Sequence, residues 1–139
     1  MKKLLKPKTS ANETETALTS QVAIITTVDD ENSAFASLSA SLAEIRKLKD
    51  VLGYILRSDT SAVLDFIEPD KITENAILSS QIHDSCEEIT KLFNLGKTES
   101  VLVEGENVKV LCISIGESKI SIFMERSAAH SEIIKRILI

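Results

Sequence analysis

The sequence predicts an α+β domain in which a five-stranded antiparallel sheet carries helices on its faces, in the order α-β-β-α-β-β-β-α. Three apolar runs rich in Val and Ile fill residues 99–126 and are separated by short polar turns at 105–107 and 116–118. Such runs favour half-buried strands, and the short turns predict that they form an antiparallel meander. On either side of the meander, apolar residues recur at the three- and four-residue spacing of helices that cover a sheet.

Composition limits the class of protein. A chain of 139 residues fits one domain with a tail. Its apolar content of 43% is enough for a core, and because only 4% of its residues are aromatic, that core is expected to be largely aliphatic. The net charge of −5 argues against a nucleic-acid binder. Cys86 and Cys112 fall within predicted elements and are expected to be reduced core residues rather than a disulfide. No run approaches the ~18 apolar residues of a membrane span, and the basic start lacks the apolar stretch of a signal peptide, so a soluble, cytoplasmic protein without stable membrane insertion is expected.

Residues 1–32 are predicted to form a flexible N-terminal tail, and residues 33–139 to form the domain. The tail begins with clustered lysines and continues with Thr, Ser and Glu, a composition that cannot bury enough apolar area to fold alone. The apolar stretch 22–25 is an exception. It is either a short strand or an apolar patch that pairs with the domain.

The first helix is predicted over residues 33–52, where apolar residues recur at helical spacing, with Gly53 as its C-terminal cap. A hairpin is then predicted from two short apolar runs, residues 53–57 and 62–67, because the residues between them are polar. Pro69 ends the second strand, since proline lacks the donor that a ladder needs.

The longest helix is predicted over residues 70–95, with Asp70 or Thr73 as its cap and Gly96 as its stop. One helical stripe contains its apolar and small residues: Ile72, Ala76, Ser79, Ile82, Cys86, Ile89 and Phe93. Further leucines widen this stripe beyond what one sheet face usually covers. Two interpretations follow, self-association of this helix or a plain intramolecular core.

The middle strand of the meander is apolar on both faces, with Leu111 and Ile113 on one and Val110 on the other. This pattern predicts a sheet that is covered on both sides or lies in an assembly. Residues 127–139 predict a closing helix capped by Ser127.

No constellation of residues indicates catalysis. His83, Cys86 and Glu87 lie within one helical turn, but a closed metal site needs about four ligands and no second cluster supplies them. The sequence therefore predicts a helix with an exposed His83 and a buried Cys86. His130 is expected to be solvated, and Gly-Lys-Thr at 96–98 lacks the strand, turn and helix context of a phosphate-binding loop. Neither a cofactor nor a metal is expected, and the chain is not expected to be an enzyme.

Residues 42–56, 89–104, 110–124 and 133–138 resemble the roadblock / dynein light chain family, including its MglB-like members. The match extends over residues 41–138 as a pattern of residue size and polarity. One departure is the first hairpin turn, which in this family usually contains an Asp-Gly-like pair and here contains no glycine.

The resemblance implies homodimers in which central helices and third strands join two sheets into one. It further implies a non-catalytic platform for a small Ras-like GTPase, a dynein subunit or a larger scaffold partner. The residues predicted to form the dimer interface are Ile82, Cys86, Ile89, Phe93, Val101 and Val103. The alternative is a small-ligand sensor domain of profilin-like or sensor-like topology, for which Ser114 and Cys112 are the polar candidates on the middle strand.

Overall fold

The chain folds into an antiparallel sheet that is enclosed by helices on both faces. The structure is a computed structural model and describes residues 21–26 and 32–138. Its elements are β1 (Gln21–Thr26), α1 (Asn32–Arg46), β2 (Val51–Arg57), β3 (Ser61–Phe66), α2 (Ile72–Leu92), β4 (Ser100–Glu104), β5 (Val108–Ile115), β6 (Ser118–Glu125) and α3 (His130–Leu138). The predicted α+β class and the order α-β-β-α-β-β-β-α are confirmed from α1 onward, and β1 precedes them.

The sheet has six strands in the order β1-β3-β2-β6-β5-β4, and every neighbouring pair is antiparallel. The hairpin β2–β3 and the meander β4–β5–β6 are joined through β2 and β6, which pair at the centre. The two edges of the sheet are β1 and β4.

β1 lies within the range that the sequence assigns to a flexible tail. It pairs with β3 in continuous register, from Gln21 opposite Phe66 to Thr26 opposite Ser61. Of the two interpretations of the apolar stretch 22–25, the structure therefore has the strand. The rest of the predicted tail before α1 lies outside the described residues.

One face of the sheet is covered by α1 and α3, which also contact each other. Leu42 and Ile45 of α1 and Ile133 and Ile137 of α3 are buried in this layer. The sheet contributes Val51, Tyr54, Leu56, Val63, Leu111, Ile113, Ile120, Ile122 and Met124. Each such side chain contributes about 1.5–3 kcal/mol by leaving water, so this aliphatic layer is the main core.

The other face of the sheet is covered by α2. The buried residues of this layer are Ile55, Phe66, Val110, Cys112 and Phe123, and Ile72, Ala76 and Ile82 of α2 pack against them. The middle strand of the meander, which is apolar on both faces, therefore lies in a sheet that helices cover on both sides. Among the described helices, none has the length and apolar character to cross a membrane.

α1 ends six residues before the predicted boundary, and Gly53 is not its cap. After Arg46 the backbone turns, with the Leu48 and Val51 amides each donating to a carbonyl three residues back. Gly53 lies inside β2, opposite Phe66 on one neighbour and Phe123 on the other. A Cβ at Gly53 would overlap the Phe66 ring, so glycine is required by close packing and not by a helix end.

The ends of α2 also differ from the prediction. A 3-10 turn, Pro69–Lys71, runs straight into the helix, and no side chain caps its N-terminus. At the other end Asn94 has a positive φ of 61° and the Leu95 amide donates to the Thr90 carbonyl, which is a Schellman-type stop. The helix thus ends at Leu92, and Asn94 takes the stop position that the sequence assigns to Gly96.

α3 begins at His130, three residues after the predicted cap. The Ala128 amide donates to the Glu125 carbonyl in the turn that follows β6, so Ser127 belongs to this turn and is not the helix N-cap.

Candidate interaction surface

A cluster of polar side chains lies between α2 and the sheet. Ser121 of β6 is at its centre, with its Oγ 2.6 Å from Ser79 Oγ, 3.2 Å from His83 Nε2 and 3.4 Å from Cys112 Sγ. All four residues are buried. Because Ser79 and His83 are one helical turn apart, they lie on the same side of α2 and both reach Ser121.

His83 is 6% exposed, so the prediction of an exposed histidine is wrong. Burial and, to a smaller extent, the nearby charges of Arg57 and Lys119 together lower the pKa of His83 to about 4, against smaller opposing effects of a hydrogen bond with the Ile120 backbone and of the Glu87 charge. The imidazole is therefore neutral at pH 7. A neutral ring can hydrogen-bond with the Ser121 hydroxyl without placing a third positive charge beside Arg57 and Lys119.

The cysteines are free thiols, as expected from the sequence. Cys112 is buried, and burial raises the pKa of its thiol although the hydrogen bond with Ser121 acts in the opposite direction. Cys86 is only partly buried, which corrects the prediction that it lies in the core. In the part of the chain that the structure describes, no three His, Cys, Asp or Glu residues are placed to hold a metal ion.

An ion pair lies at the rim of this polar cluster. Lys119 Nζ of β6 is 2.9 Å from Glu87 Oε2 of α2. Hydrogen bonding and charge from Lys119 lower the pKa of the Glu87 carboxyl. The pair is partly exposed, so its contribution to stability is small, and its main consequence is to orient one side of α2 over the sheet.

The opposite side of α2 presents an apolar surface to solvent. Leu78, Ile89 and Leu92, here called the outer stripe, recur on one side of the helix, and Leu92 is 77% exposed. Phe93 and Leu95 continue the apolar surface past the end of the helix, each about two-thirds exposed. Single exposed apolar residues are ordinary, but a contiguous set on one helix is typical of an interaction surface.

The β4 edge of the sheet adjoins this surface. Thr98, just before β4, donates to the Cys86 carbonyl and hydrogen-bonds with Thr90, which ties the strand to the second half of α2. Val101 of β4 packs into the layer beneath α2, and Val103 on the same face of the strand is 43% exposed. One side of β4 pairs with β5, and as the last strand of the described sheet it has its other edge unpaired.

The six residues predicted for a dimer interface fall into two groups. Ile89, Phe93 and Val103 are exposed on the surface just described. Ile82 and Val101 instead pack between α2 and the sheet, and Cys86 is half-buried. A substitution at Ile82 would therefore disturb the fold of a single chain as well as any contact between chains.

Leu92 and Leu95 belong to this surface but are absent from the predicted interface. The predicted stripe follows a single line of residues, whereas the structure divides α2 into an inner side centred on Ser79 and His83 and an outer side centred on Leu92. The signal that could have found Leu92 is its position three residues after Ile89 and seven after Ser85, on the side where the stripe widens.

His130 is also more enclosed than predicted. Its Nδ1 atom is 3.0 Å from Nζ of Lys109, a buried residue of β5, so the imidazole accepts a hydrogen bond from the ammonium group. This contact joins the start of α3 to β5, so His130 links the helix to the sheet.

Two features of the described residues concern the alternative of a small-ligand sensor. A surface depression lined by Glu88, Ile89, Lys91 and Leu92 lies on the outer side of α2 and is open to solvent. Cys112, a polar candidate for ligand contact, is instead engaged with Ser121 beneath the helix.

These layers define an α+β domain whose antiparallel sheet has two helices on one face and one long helix on the other. The fold is roadblock-like, as the sequence predicts. A solved structure, that of a Roadblock/LC7 domain from Streptomyces avermitilis, superposes with a TM-score of 0.59 over 70% of this chain and 84% of that chain, at 15% sequence identity. No family model matches the chain, and no curated protein matches it in sequence.

Proposed function

We propose that this chain is a non-catalytic interaction module that forms a homodimer through α2 and β4, and that the dimer binds a small Ras-like GTPase or a scaffold partner. The observation that carries the proposal is the exposed apolar surface of α2 beside the unpaired edge of β4. The roadblock-like fold supports it, because the family that the sequence resembles pairs through the corresponding helix and strand.

The location of the exposed residues supports a second copy as the occupant. Ile89, Leu92 and Phe93 are exposed at the end of α2 that Thr98 ties to β4, and Val103 is exposed on that edge strand, so one partner can cover the helix and extend the sheet together. Strand addition supplies backbone hydrogen bonds, and burial of the apolar side chains supplies the hydrophobic contribution. A symmetric pair would use the same surface twice, as two-fold interfaces do.

The dimer is tested by placing a charge on the exposed surface. We expect Leu92→Glu to weaken self-association by roughly two orders of magnitude, because a carboxylate at the centre of an apolar contact loses its water without a partner. Leu92 is exposed in a single chain, so the variant should keep the wild-type Tm. Sedimentation velocity over a concentration series measures the association.

The matched control is Ile67→Glu. Ile67 is also an exposed apolar residue, but it follows β3, which β2, β6 and β5 separate from β4. It should associate as the wild type does. Equal association of the wild type and Leu92→Glu would contradict an interface centred on α2.

The GTPase is tested separately, with a panel of purified Ras-like GTPases loaded with GDP or with a non-hydrolysable GTP analogue. Biolayer interferometry should show binding that depends on the nucleotide for at least one member and is weaker for Leu92→Glu. Binding that is absent across the panel, with an intact dimer, would reject the GTPase and leave the scaffold partner.

A further inference from the structure

We propose that the basic N-terminal segment of this chain, residues 2–8, docks on the outer side of its own α2 and competes there with the second copy. The inference rests on the proposed dimer for its regulatory meaning, whereas the docking itself is a property of one chain. Residues 1–20 lie outside the described residues, so the argument uses their sequence and the position at which the chain enters the fold.

The outer side of α2 is acidic as well as apolar. Glu87 is paired with Lys119. Glu74, Asp84 and Glu88 are exposed and form no ion pair with other described residues, and they outnumber Lys91, the exposed lysine of the same helix, which lines the depression beside Glu88 and Leu92. We call these three carboxylates the acidic rim. Glu74 precedes Leu78 by four residues and Glu88 precedes Leu92 by four, so two of them directly neighbour the outer stripe.

The acidic rim makes a second copy an imperfect occupant. Two α2 surfaces that pack together bring the same carboxylates toward each other, and like charges across an interface oppose association. A segment of opposite charge removes this cost.

Residues 2–8 have the complementary chemistry. Their sequence is Lys-Lys-Leu-Leu-Lys-Pro-Lys, in which four lysines surround a pair of leucines. The leucines match the apolar outer stripe, and the lysines match the acidic rim. Ammonium groups on long aliphatic stems can lie along apolar surface while their charge reaches carboxylates at its border.

The register of β1 places this segment within reach. Gln21, where β1 begins, lies opposite Phe66, the last residue of β3, and α2 begins six residues later at Ile72. The chain that precedes β1 therefore enters the fold beside the start of α2. Twelve residues separate Lys8 from Gln21 and span up to ~40 Å when extended. α2 has 21 residues and is therefore ~30 Å long, so residues 2–8 can reach any part of its outer side.

Neutralising the acidic rim tests the docking in the full chain. We compare the backbone amide resonances of residues 2–6 and of Lys8 by NMR in the wild type and in Glu74→Gln/Asp84→Asn/Glu88→Gln, because Pro7 has no amide proton. The matched control, Glu106→Gln/Glu117→Gln/Glu125→Gln, removes the same charge from exposed residues outside α2. We expect the resonances to shift in the first variant and in high salt, and to stay at their wild-type positions in the control at low salt, because screening weakens contacts between exposed charges.

Equal shifts in both variants, or none in either, would overturn the proposal. A difference between the wild type and the first variant that grows with protein concentration would also overturn the proposal, because it would place the segment on another molecule. These outcomes do not depend on the dimer, so a monomeric protein with docked residues 2–8 would reject the proposed function alone.

Competition with the second copy is measured by sedimentation. Replacing Lys2, Lys3, Lys6 and Lys8 by Gln should tighten self-association by roughly twofold or more, because the competing occupant loses its charge without gaining carboxylates that repel the second copy. Replacing the same four residues by Arg keeps the charge and should leave self-association unchanged. A glutamine variant that associates as weakly as the wild type would contradict competition.

Discussion

At the residue scale, the layer beneath α2 is stabilised by polar groups that satisfy one another. Ser121 meets Ser79, His83 and Cys112, so hydroxyl, imidazole and thiol leave water together. Buried polar groups that gain partners cost little, whereas one that loses its partner costs the full desolvation of that group.

His83 gives this layer a defined response to acid. Its pKa of about 4 in the folded chain lies below the value of about 6.5 for an unperturbed histidine. Between these values the unfolded chain binds a proton that the folded chain does not, so stability is lost as the pH falls from about 6.5 to about 4. We expect a loss on the order of 2 kcal/mol from this residue, measured by urea unfolding at pH 7 and about pH 4.5.

The control is His83→Gln, which cannot titrate and keeps a polar side chain. The loss between the two pH values should be smaller in this variant, because the carboxylates contribute equally to both proteins. An identical loss in variant and wild type would show that His83 titrates normally in the folded state.

Gly53 tests the packing on the same face of the sheet. Phe66 and Phe123 meet edge to face with their ring centroids 5.2 Å apart, across the position that Gly53 leaves open. Gly53→Ala should lower the free energy of unfolding by about 1–3 kcal/mol, because the new methyl group displaces the Phe66 ring. In a chemical denaturation cycle, Phe66→Leu should reduce this cost, and a cost that is the same in both backgrounds would contradict the packing argument.

At the element scale, α2 has two sides with different roles. The inner side, with Ser79 and His83, holds the helix to β6, and the outer side leaves Leu92 in solvent. The docking of α2 therefore depends on Ser121 as well as on the apolar residues around it.

Ser121→Ala tests how strongly this polar cluster holds the helix. It should destabilise the protein by about 1–3 kcal/mol, because Ser79 and His83 remain buried without their partner. Amide hydrogen exchange should accelerate most in α2. The control is Ser114→Ala, on β5 and on the sheet face that α2 covers. It should change the free energy of unfolding by no more than a few tenths of a kcal/mol and should leave exchange in α2 as in the wild type. Exchange in α2 that is no faster in Ser121→Ala than in the wild type would contradict a role for the polar cluster in holding α2 to the sheet.

The sequence predicts the elements well because their periodicities are long and clear. The meander appears within one or two residues of its predicted bounds, and its second turn contains Gly116 with a positive φ of 57°. Among the errors, those at Gly53 and His83 arise because tertiary contact and not local pattern decides. The sequence alone does not distinguish a glycine that ends a helix from a glycine that permits a close packing contact. A histidine flanked by charged residues is expected to be exposed, and only its partner on β6 shows that it is buried.

The candidate surface was only half predictable for the same reason. Periodicity identifies α2 as too apolar for one sheet face, but not which of its residues the sheet covers. Ile82 and Ile89 have the same chemistry and belong to the same predicted stripe. Ile82 packs against the sheet and is partly buried, whereas Ile89, near the C-terminal end of α2, is exposed.

At the scale of the whole molecule, the two edges of the sheet are unlike. β1 extends one edge with residues that precede the predicted domain, and β4 ends the other beside the apolar surface of α2. A second copy can extend the sheet at β4 while the opposite edge retains its own strand.

The proposed pairing of two chains through α2 and β4 predicts the mass of the protein in solution. This mass is measured on the full chain by light scattering across a concentration series, against a chain mass of 15.2 kDa. We predict a mass that approaches twice this value as concentration rises, and that remains near the single-chain value in Leu92→Glu. A wild-type mass that stays at one chain at the highest concentration would contradict the proposed pairing.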